Sequence, residues 1–243
     1  MRPAFRIFCI LLCLLCVTPV MQAQQTPVPA PASSGFNLTA EDLKDSRAVG
    51  NLETLCRVWG YAKYHHPFFC DTLCRVDVDS ALFALLPRVV HADRETRNRH
   101  LLDWVRSLGD YTPNRVEYEQ ALASYDLVGT TDLGWTADTV LLGGELSKLL
   151  QDLRYAERDE NYYLRMGTME NGAGYHYLSL SNERSYPTQQ MDSGLNLLTL
   201  FRLWNVIEYY APNRSLTLHP WEEVLTSYIP RMGVETDPVR FSR

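Results

Sequence analysis

The segment Leu52–Pro67, LETLCRVWGYAKYHHP, recurs in altered form 145 positions later as Leu197–Pro212, LLTLFRLWNVIEYYAP. Seven of the sixteen aligned positions are identical: Leu52/Leu197, Thr54/Thr199, Leu55/Leu200, Arg57/Arg202, Trp59/Trp204, Tyr64/Tyr209 and Pro67/Pro212. Several others are exchanges within the apolar class, such as Val58/Leu203 and Ala62/Ile207. A chain built this way has to fold two similar units, so the repeat restricts the architecture more than any composition figure does.

Both copies read as helix. Leu52, Leu55, Trp59 and Ala62 recur at spacings of three and four and define one apolar face. Arg57 and Lys63 fall towards the other side. Thr39 is the expected N-cap, with Glu41 and Asp42 in the first turn and Gly50 as a candidate break. Pro67 ends the helix, because the residue before a proline is pushed out of the helical region. A second helix is expected over Val78–Val90, behind Asp77 or Asp79, with Pro87 kinking or terminating it. Its counterpart is Trp221–Met232, where Leu225, Ile229, Pro230 and Arg231 match Leu82, Leu86, Pro87 and Arg88 at an offset of 143. The duplicated unit is therefore a helix–loop–helix hairpin.

Between the copies the pattern predicts helices over Glu95–Leu108 and Glu117–Ala123. Another, capped by Thr136 or Asp138, is expected to reach about Tyr155. Tyr163–Gly167 and Gly174–Leu180 alternate like strands about the turn signal Asn171-Gly172. With Ser193 as cap, the second copy follows, and it has no expected counterpart of the Glu95–Leu108 helix. The fold class is mainly α: duplicated helical hairpins with a small β-hairpin between the two copies. The expected organisation is a signal peptide (1–23), a Pro/Ala/Ser-rich linker (24–38), a first helical repeat unit (39–158), a β-hairpin and connector (159–192) and a truncated second unit (193–243).

Arg2 and Arg6 ahead of the apolar run Ile7–Val17, with Met21-Gln22-Ala23 before a cut, read as an export signal. The run is too short to span a bilayer, so the mature chain has no expected transmembrane segment and belongs in the periplasm or outside the cell. The formal net charge of -6 offers no basic footprint for nucleic acid. In an oxidising compartment Cys70 and Cys74 are candidates for a short-loop disulfide. A metal site drawing on His65, His66, Cys70 and Cys74 is the alternative, and its spacing fits neither common zinc pattern. Cys56 aligns with the apolar Phe201 and is expected to be a buried thiol.

No catalytic constellation emerges. There is no Gly-x-Ser-x-Gly elbow, and Ser147-Lys148, the lone Ser–Lys neighbour pair, is expected on the surface. Gly167–Gly174 lacks the Lys-Ser/Thr ending of a phosphate loop. No catalytic, cofactor-binding or metal-ligating residue is therefore assigned, and no cofactor is expected. Trp59/Trp204 and Tyr64/Tyr209 could line a peptide or glycan groove; their place on the apolar stripe favours packing inside each hairpin. Arg57 and Arg202 are expected to pair with a carboxylate or a helix end.

The segments LCRVWGYAKYHHPF, LFALLPRV, SNERSYPTQQMDSGLNLLTLFRLWNVIEYYAP and WEEVLTSYIPRM resemble the N-terminal helical region of exported tail-specific (C-terminal processing) serine peptidases. The likeness covers roughly Leu52–Met232, and Phe201-Arg202-x-Trp204-Asn205-x-x-x-Tyr209 with Asn182-Glu183 upstream is its most specific part. In that family the region precedes a PDZ-like module and a catalytic domain with a Ser–Lys dyad. Neither catalytic residue has a counterpart here. The resemblance implies proteolysis as the parent process and a non-catalytic scaffolding or substrate-positioning role, with a peptidase catalytic domain or a protein or peptide substrate as partner. The alternative is an independent periplasmic helical-repeat module that binds protein or peptide.

Overall fold

The computed structural model describes residues 33–70, 77–124, 131–168, 176–180, 182–186, 191–211, 214–217 and 220–241. All belong to one compact unit spanning Pro31–Arg243. The signal peptide, Cys74, the Asn171-Gly172 turn, Pro212 and most of the linker lie outside the described residues.

The architecture is mainly α. The first hairpin pairs α1 (Ser46–His65) with α2 (Val78–Val89), followed by α3 (Arg94–Ser107), α4 (Arg115–Ala123) and α5 (Thr139–Leu153). The second pairs α6 (Ser193–Tyr210) with α7 (Glu223–Met232) and ends in a single turn, α8 (Pro238–Phe241). Between α5 and α6, strands β1 (Arg165–Thr168) and β2 (His176–Ser179) pair antiparallel, with Arg165 opposite Ser179 and Thr168 opposite His176.

Carboxylates set most helix starts. Asp45, Asp77, Asp93, Asp138 and Asp192 each accept from a backbone N–H in the first turn of the helix that follows. Two expected caps shift as a result. α1 begins at Ser46 behind Asp45, while Thr39 and Asp42 bond each other beside a short 3-10 turn, Asp42–Lys44. Ser193 is the first residue of α6; its Oγ accepts from the Leu38 N–H at 2.8 Å, so it ties down the incoming chain. Gly50 does not break α1, since one glycine costs about 1 kcal/mol in a twenty-residue helix anchored on both sides. Pro87 lies one turn from the C-terminus and α2 runs two residues past it, as α7 runs past Pro230. In α5, Gly143 adopts φ 72° and kinks the helix. Pro67 acts as expected: α1 stops at His65 and His66 turns extended.

The repeat extends to individual hydrogen bonds. The Trp59 indole N–H donates to the Val78 carbonyl at 2.9 Å, and Trp204 donates to Trp221 at 3.2 Å, the equivalent pair. Asn51 Nδ2 donates to the carbonyls of Val89 and Ala92 at 3.0 and 2.8 Å; Asn196 Nδ2 donates to Met232 and Glu235, both at 2.8 Å. In each hairpin, then, the long helix carries an asparagine that holds the end of the return helix and a tryptophan that holds its start. Leu52, Leu55, Trp59, Leu82 and Leu86 are buried, as are their equivalents Leu197, Leu200, Trp204, Leu225 and Ile229.

The hairpins meet reciprocally. α1 packs on α6, while α1 also touches α7 and α6 touches α2. At the crossing, equivalent residues face each other: a Cβ on Gly60 would fall 1.9–2.2 Å from the side chain of Asn205, its own counterpart. Asn205 Nδ2 uses that space to donate to the carbonyls of Cys56 and Phe201 at 3.1 and 2.9 Å. The two copies are thus related by an approximate two-fold whose centre demands a glycine on one side.

Gly60→Ala should destabilise the chain by about 1–3 kcal/mol through overpacking. Urea unfolding would read this as a lower midpoint with unchanged slope. Combining it with Asn205→Ala should cost less than the sum of the single changes; strict additivity would place the two residues out of contact.

Candidate functional site

The network that joins both hairpins to the connector is centred on Lys63. The apolar pattern set Lys63 on the outer side of α1; the structure corrects this, with Lys63 at 0% exposure. Its position, four residues after Trp59, turns it under the connector, where the ammonium lies 4.9 Å from the Trp59 ring and 4.5 Å from the Tyr163 ring. There it forms a short ion pair with Glu183.

Glu183 sits in the connector and holds one cation from each copy. Its second oxygen meets Arg202 Nε of α6 at 3.0 Å, a charge contact without an aligned hydrogen bond. Arg202 reaches across to Asp79 in the first turn of α2, and its Nη1 donates to the Arg184 carbonyl at 2.9 Å. Tyr186 donates its hydroxyl to Asp79 at 2.9 Å, and Arg184 pairs with Asp77, the cap of α2. Residues 182–186 are consequently stitched to both hairpins. Burial pushes the Lys63 ammonium below its ordinary range against the pull of Glu183. Burial likewise raises Asp79 above the usual carboxylate range, opposed by Arg202 and Lys63.

Glu208 occupies the position in α6 equivalent to Lys63 in α1, and it too is buried. Its carboxylate meets Arg214 at 3.4 Å and faces Arg57, Glu222 and Asp132. Burial pushes it up to about 7, with Arg214 and Arg57 pulling the other way. The same site in the two copies therefore holds a base in one and an acid in the other, each with its own partners.

The other residues singled out by the repeat take structural places. Arg57 pairs with Glu53 at 2.8 Å and lies 5.5 Å from the Trp204 ring centre. Tyr64 and its equivalent Tyr209 pack edge-on at 6.1 Å. Both tryptophans are buried within their own hairpins, as expected from the apolar stripe. Pro67 opens a 3-10 turn, Pro67–Phe69, that Cys70 closes. His65 stacks on Tyr61 at 4.2 Å and His66 turns edge-on to Tyr111 at 5.3 Å, so the adjacent rings serve different neighbours. Burial holds His65 down to about 3 and His66 down to about 4. Among the described residues no cluster of three or more His, Cys, Asp or Glu is placed to hold a metal ion.

Ser147 and Lys148 separate. Lys148 is exposed and pairs with Asp152, as a surface residue should. Ser147 is instead fully buried, and its hydroxyl donates to the Thr136 carbonyl at 2.8 Å. Cys56 is a buried thiol in contact with Asn205, and burial raises it well above its ordinary range, leaving it unreactive.

A separate open groove of about 570 Å³ lies between α4 and residues 155–159, lined by Tyr118, Tyr155, Glu117, Glu157 and Arg158. Asn114 Nδ2 already donates to both Glu117 and Glu157 there, at 2.7 and 2.8 Å. Among the described residues no helix is long and apolar enough to cross a membrane. Comparison with protein-family models, with curated proteins and with solved structures finds no match.

Two outcomes follow from the buried charges. Lys63→Ala strands Glu183 beside the remaining cation and should cost about 3–5 kcal/mol of stability, measured by urea unfolding; a change under 1 kcal/mol would mean that the network is not closed to water. Glu208, with its folded pKa raised, keeps a proton that the unfolded chain releases. Its contribution to stability therefore falls as pH rises through the window from the unfolded value of about 4.3 to about 7. Relative to Glu208→Gln, the wild-type urea midpoint should drop between pH 5 and 7.5; parallel curves would contradict the assignment.

Proposed function

We propose that this chain is a non-catalytic helical scaffold of an exported serine peptidase of the tail-specific type, serving to pack against or position substrate for a catalytic domain. The reading rests on the likeness of the repeat segments to that family and on how the chain's charged side chains are used. The carrying observation is that all three lysines are tied to carboxylates: Lys44 to Glu41, Lys63 to Glu183 and Lys148 to Asp152. A Ser–Lys dyad needs a neutral lysine within hydrogen-bonding reach of a serine hydroxyl. Here the buried lysine is engaged by Glu183, and Ser147, a buried serine, spends its hydroxyl on a backbone carbonyl. Of the positions that mark the resemblance, Glu183 and Arg202 fasten the connector to both hairpins, and Asn182 bonds the Tyr162 carbonyl within the connector. Their chemistry suits a rigid platform.

A second reading, an independent exported binding module, draws on the open groove beside Tyr118 and Tyr155. It requires saturable binding of a peptide or glycan there, lost on Tyr155→Ala.

The test is direct. Incubated with a fluorophosphonate probe, the purified 243-residue chain should take up no label and should leave a denatured protein substrate intact. Labelling that disappears on replacing a single serine would overturn the scaffold reading.

A further inference from the structure

Each hairpin has an open end, where the long helix starts and the return helix stops, and the two copies close it differently. In the first, α3 lies across α1 and α2, and its Arg97 donates from Nη1 to Asn51 Oδ1 at 3.1 Å. In the second, the end is closed by Ser33–Leu38, the last residues of the expected linker. Three donors of this segment converge on Asp192, the cap of α6. They are the Ser33 and Ser34 hydroxyls at 2.8 and 2.5 Å and the Ser34 N–H at 2.7 Å. The Leu38 N–H donates to Ser193 Oγ at 2.8 Å. The Phe36 carbonyl accepts at 3.2 Å from the Gly194 N–H, a first-turn donor that α6 itself leaves unmatched. Phe36 and Leu38 are buried, whereas Ser33, Gly35 and Asn37 are exposed. Leu38 also reaches the end of α7, its Cδ1 3.8 Å from where a Cβ on Gly233 would stand.

The residues that receive this strap belong to the second copy alone. At the repeat's offset of 145, Asp192, Ser193 and Gly194 stand over Arg47, Ala48 and Val49 of α1. Gly194 is the most restrictive of the three. A Cβ there would fall 2.2 Å from Ser34 Oγ and 2.6 Å from Ser34 Cβ, so any larger residue pushes Ser34 off Asp192. The hold is also local. Among the described residues, the strap's hydrogen bonds to the rest of the chain all go to Asp192, Ser193 and Gly194. Thr39, next in sequence, is fixed separately on Asp42, through its N–H at 2.8 Å and its hydroxyl at 2.6 Å. On its other side the strap follows the Pro/Ala/Ser-rich residues 24–32.

We propose that Ser33–Leu38 is a releasable clasp that swings as a unit about Thr39. Closed on Asp192–Gly194, it fixes the start of α6 against the end of α7. Open, it frees those two ends while the middle of α6 stays packed on α1. A segment held by one cluster of bonds opens at a free energy below that of global unfolding. α3, which closes the first hairpin, is packed on α1, α2 and α5 together and has no such freedom. The state of the N-terminal segment, whether closed, cut or gripped by another molecule, is thereby transmitted to the second hairpin. The proposal goes beyond the scaffold reading and stands without it.

The test uses the full chain and two readouts, chymotryptic cleavage after Phe36 and hydrogen exchange followed by mass spectrometry. In the wild-type protein the amides of residues 34–38 should exchange through one opening. That opening should be more frequent than the one exposing the middle of α6, yet rare enough to leave the strap slower than a free peptide of the same sequence. Gly194→Ala should speed cleavage after Phe36 by about tenfold or more, since cleavage follows the population of the open form. It should raise exchange over residues 34–38 and at the Gly233 end of α7 together, and leave the middle of α6 unchanged. Asp192→Asn keeps an acceptor for the Leu195 N–H and should shift the same amides in the same direction by a smaller factor. Gly50→Ala, where an added Cβ meets nothing within 4 Å, is the control and should leave the strap as it is. Strap amides that exchange only with global unfolding, or at the free-peptide rate in the wild type, would overturn the proposal. So would cleavage that Gly194→Ala does not accelerate, or an α7 end whose exchange does not follow the strap.

Discussion

The crossing of α1 and α6 is the contact on which the rest of the molecule depends. Two helices whose equivalent residues face each other at close range need one side to give way, and Gly60 does so for Asn205. Overpacking such a contact is costly because interiors are close to crystal density and cannot absorb a methyl group without strain. The asparagine then uses the approach to bond the backbone of both helices, through Cys56 and Phe201. Everything else follows the reciprocal relation. Each long helix receives the other copy's return helix, and each return helix is held at both ends by its own hairpin's tryptophan and asparagine.

That near-symmetry is broken electrostatically. Lys63 and Glu208, a base and an acid, stand at equivalent buried positions, and each recruits different partners. A buried ion pair brings little net stability, since the loss of hydration offsets the attraction. What it does bring is a penalty for any other arrangement. Glu183 can reach Lys63 of one hairpin and Arg202 of the other only when the connector lies between them. The network thereby selects one way of closing the duplicated hairpins.

The duplicated architecture was legible because its signals are strong and local: apolar residues at helical spacing, prolines at matching offsets and two tryptophans on the stripe. Lys63 was misplaced for a physical reason. A helical wheel puts a lone lysine outward, and only a tertiary partner, Glu183, 120 residues away, makes its burial tolerable. A usable signal did exist: the repeat places Lys63 over Glu208, and charges at equivalent positions flanked by core residues point to an internal ion network. The caps were off by a few residues where aspartates competed with Thr39 and Ser193, both of which bond elsewhere. Ser147 and Lys148 were expected together on the surface, but neighbouring residues on a helix differ in direction, and it is Lys148 alone that takes the solvent side.

The account holds that the two hairpins and their connector form one cooperative structure locked at the Gly60–Asn205 crossing. Native-state hydrogen exchange under increasing urea tests this most directly. Amides in the middle of α1 and α6 should share one opening free energy, equal to that of global unfolding, and merge at the same urea concentration. If α6 and α7 open at a clearly lower free energy while α1 and α2 stay protected, the copies are separate folding units and the central claim fails.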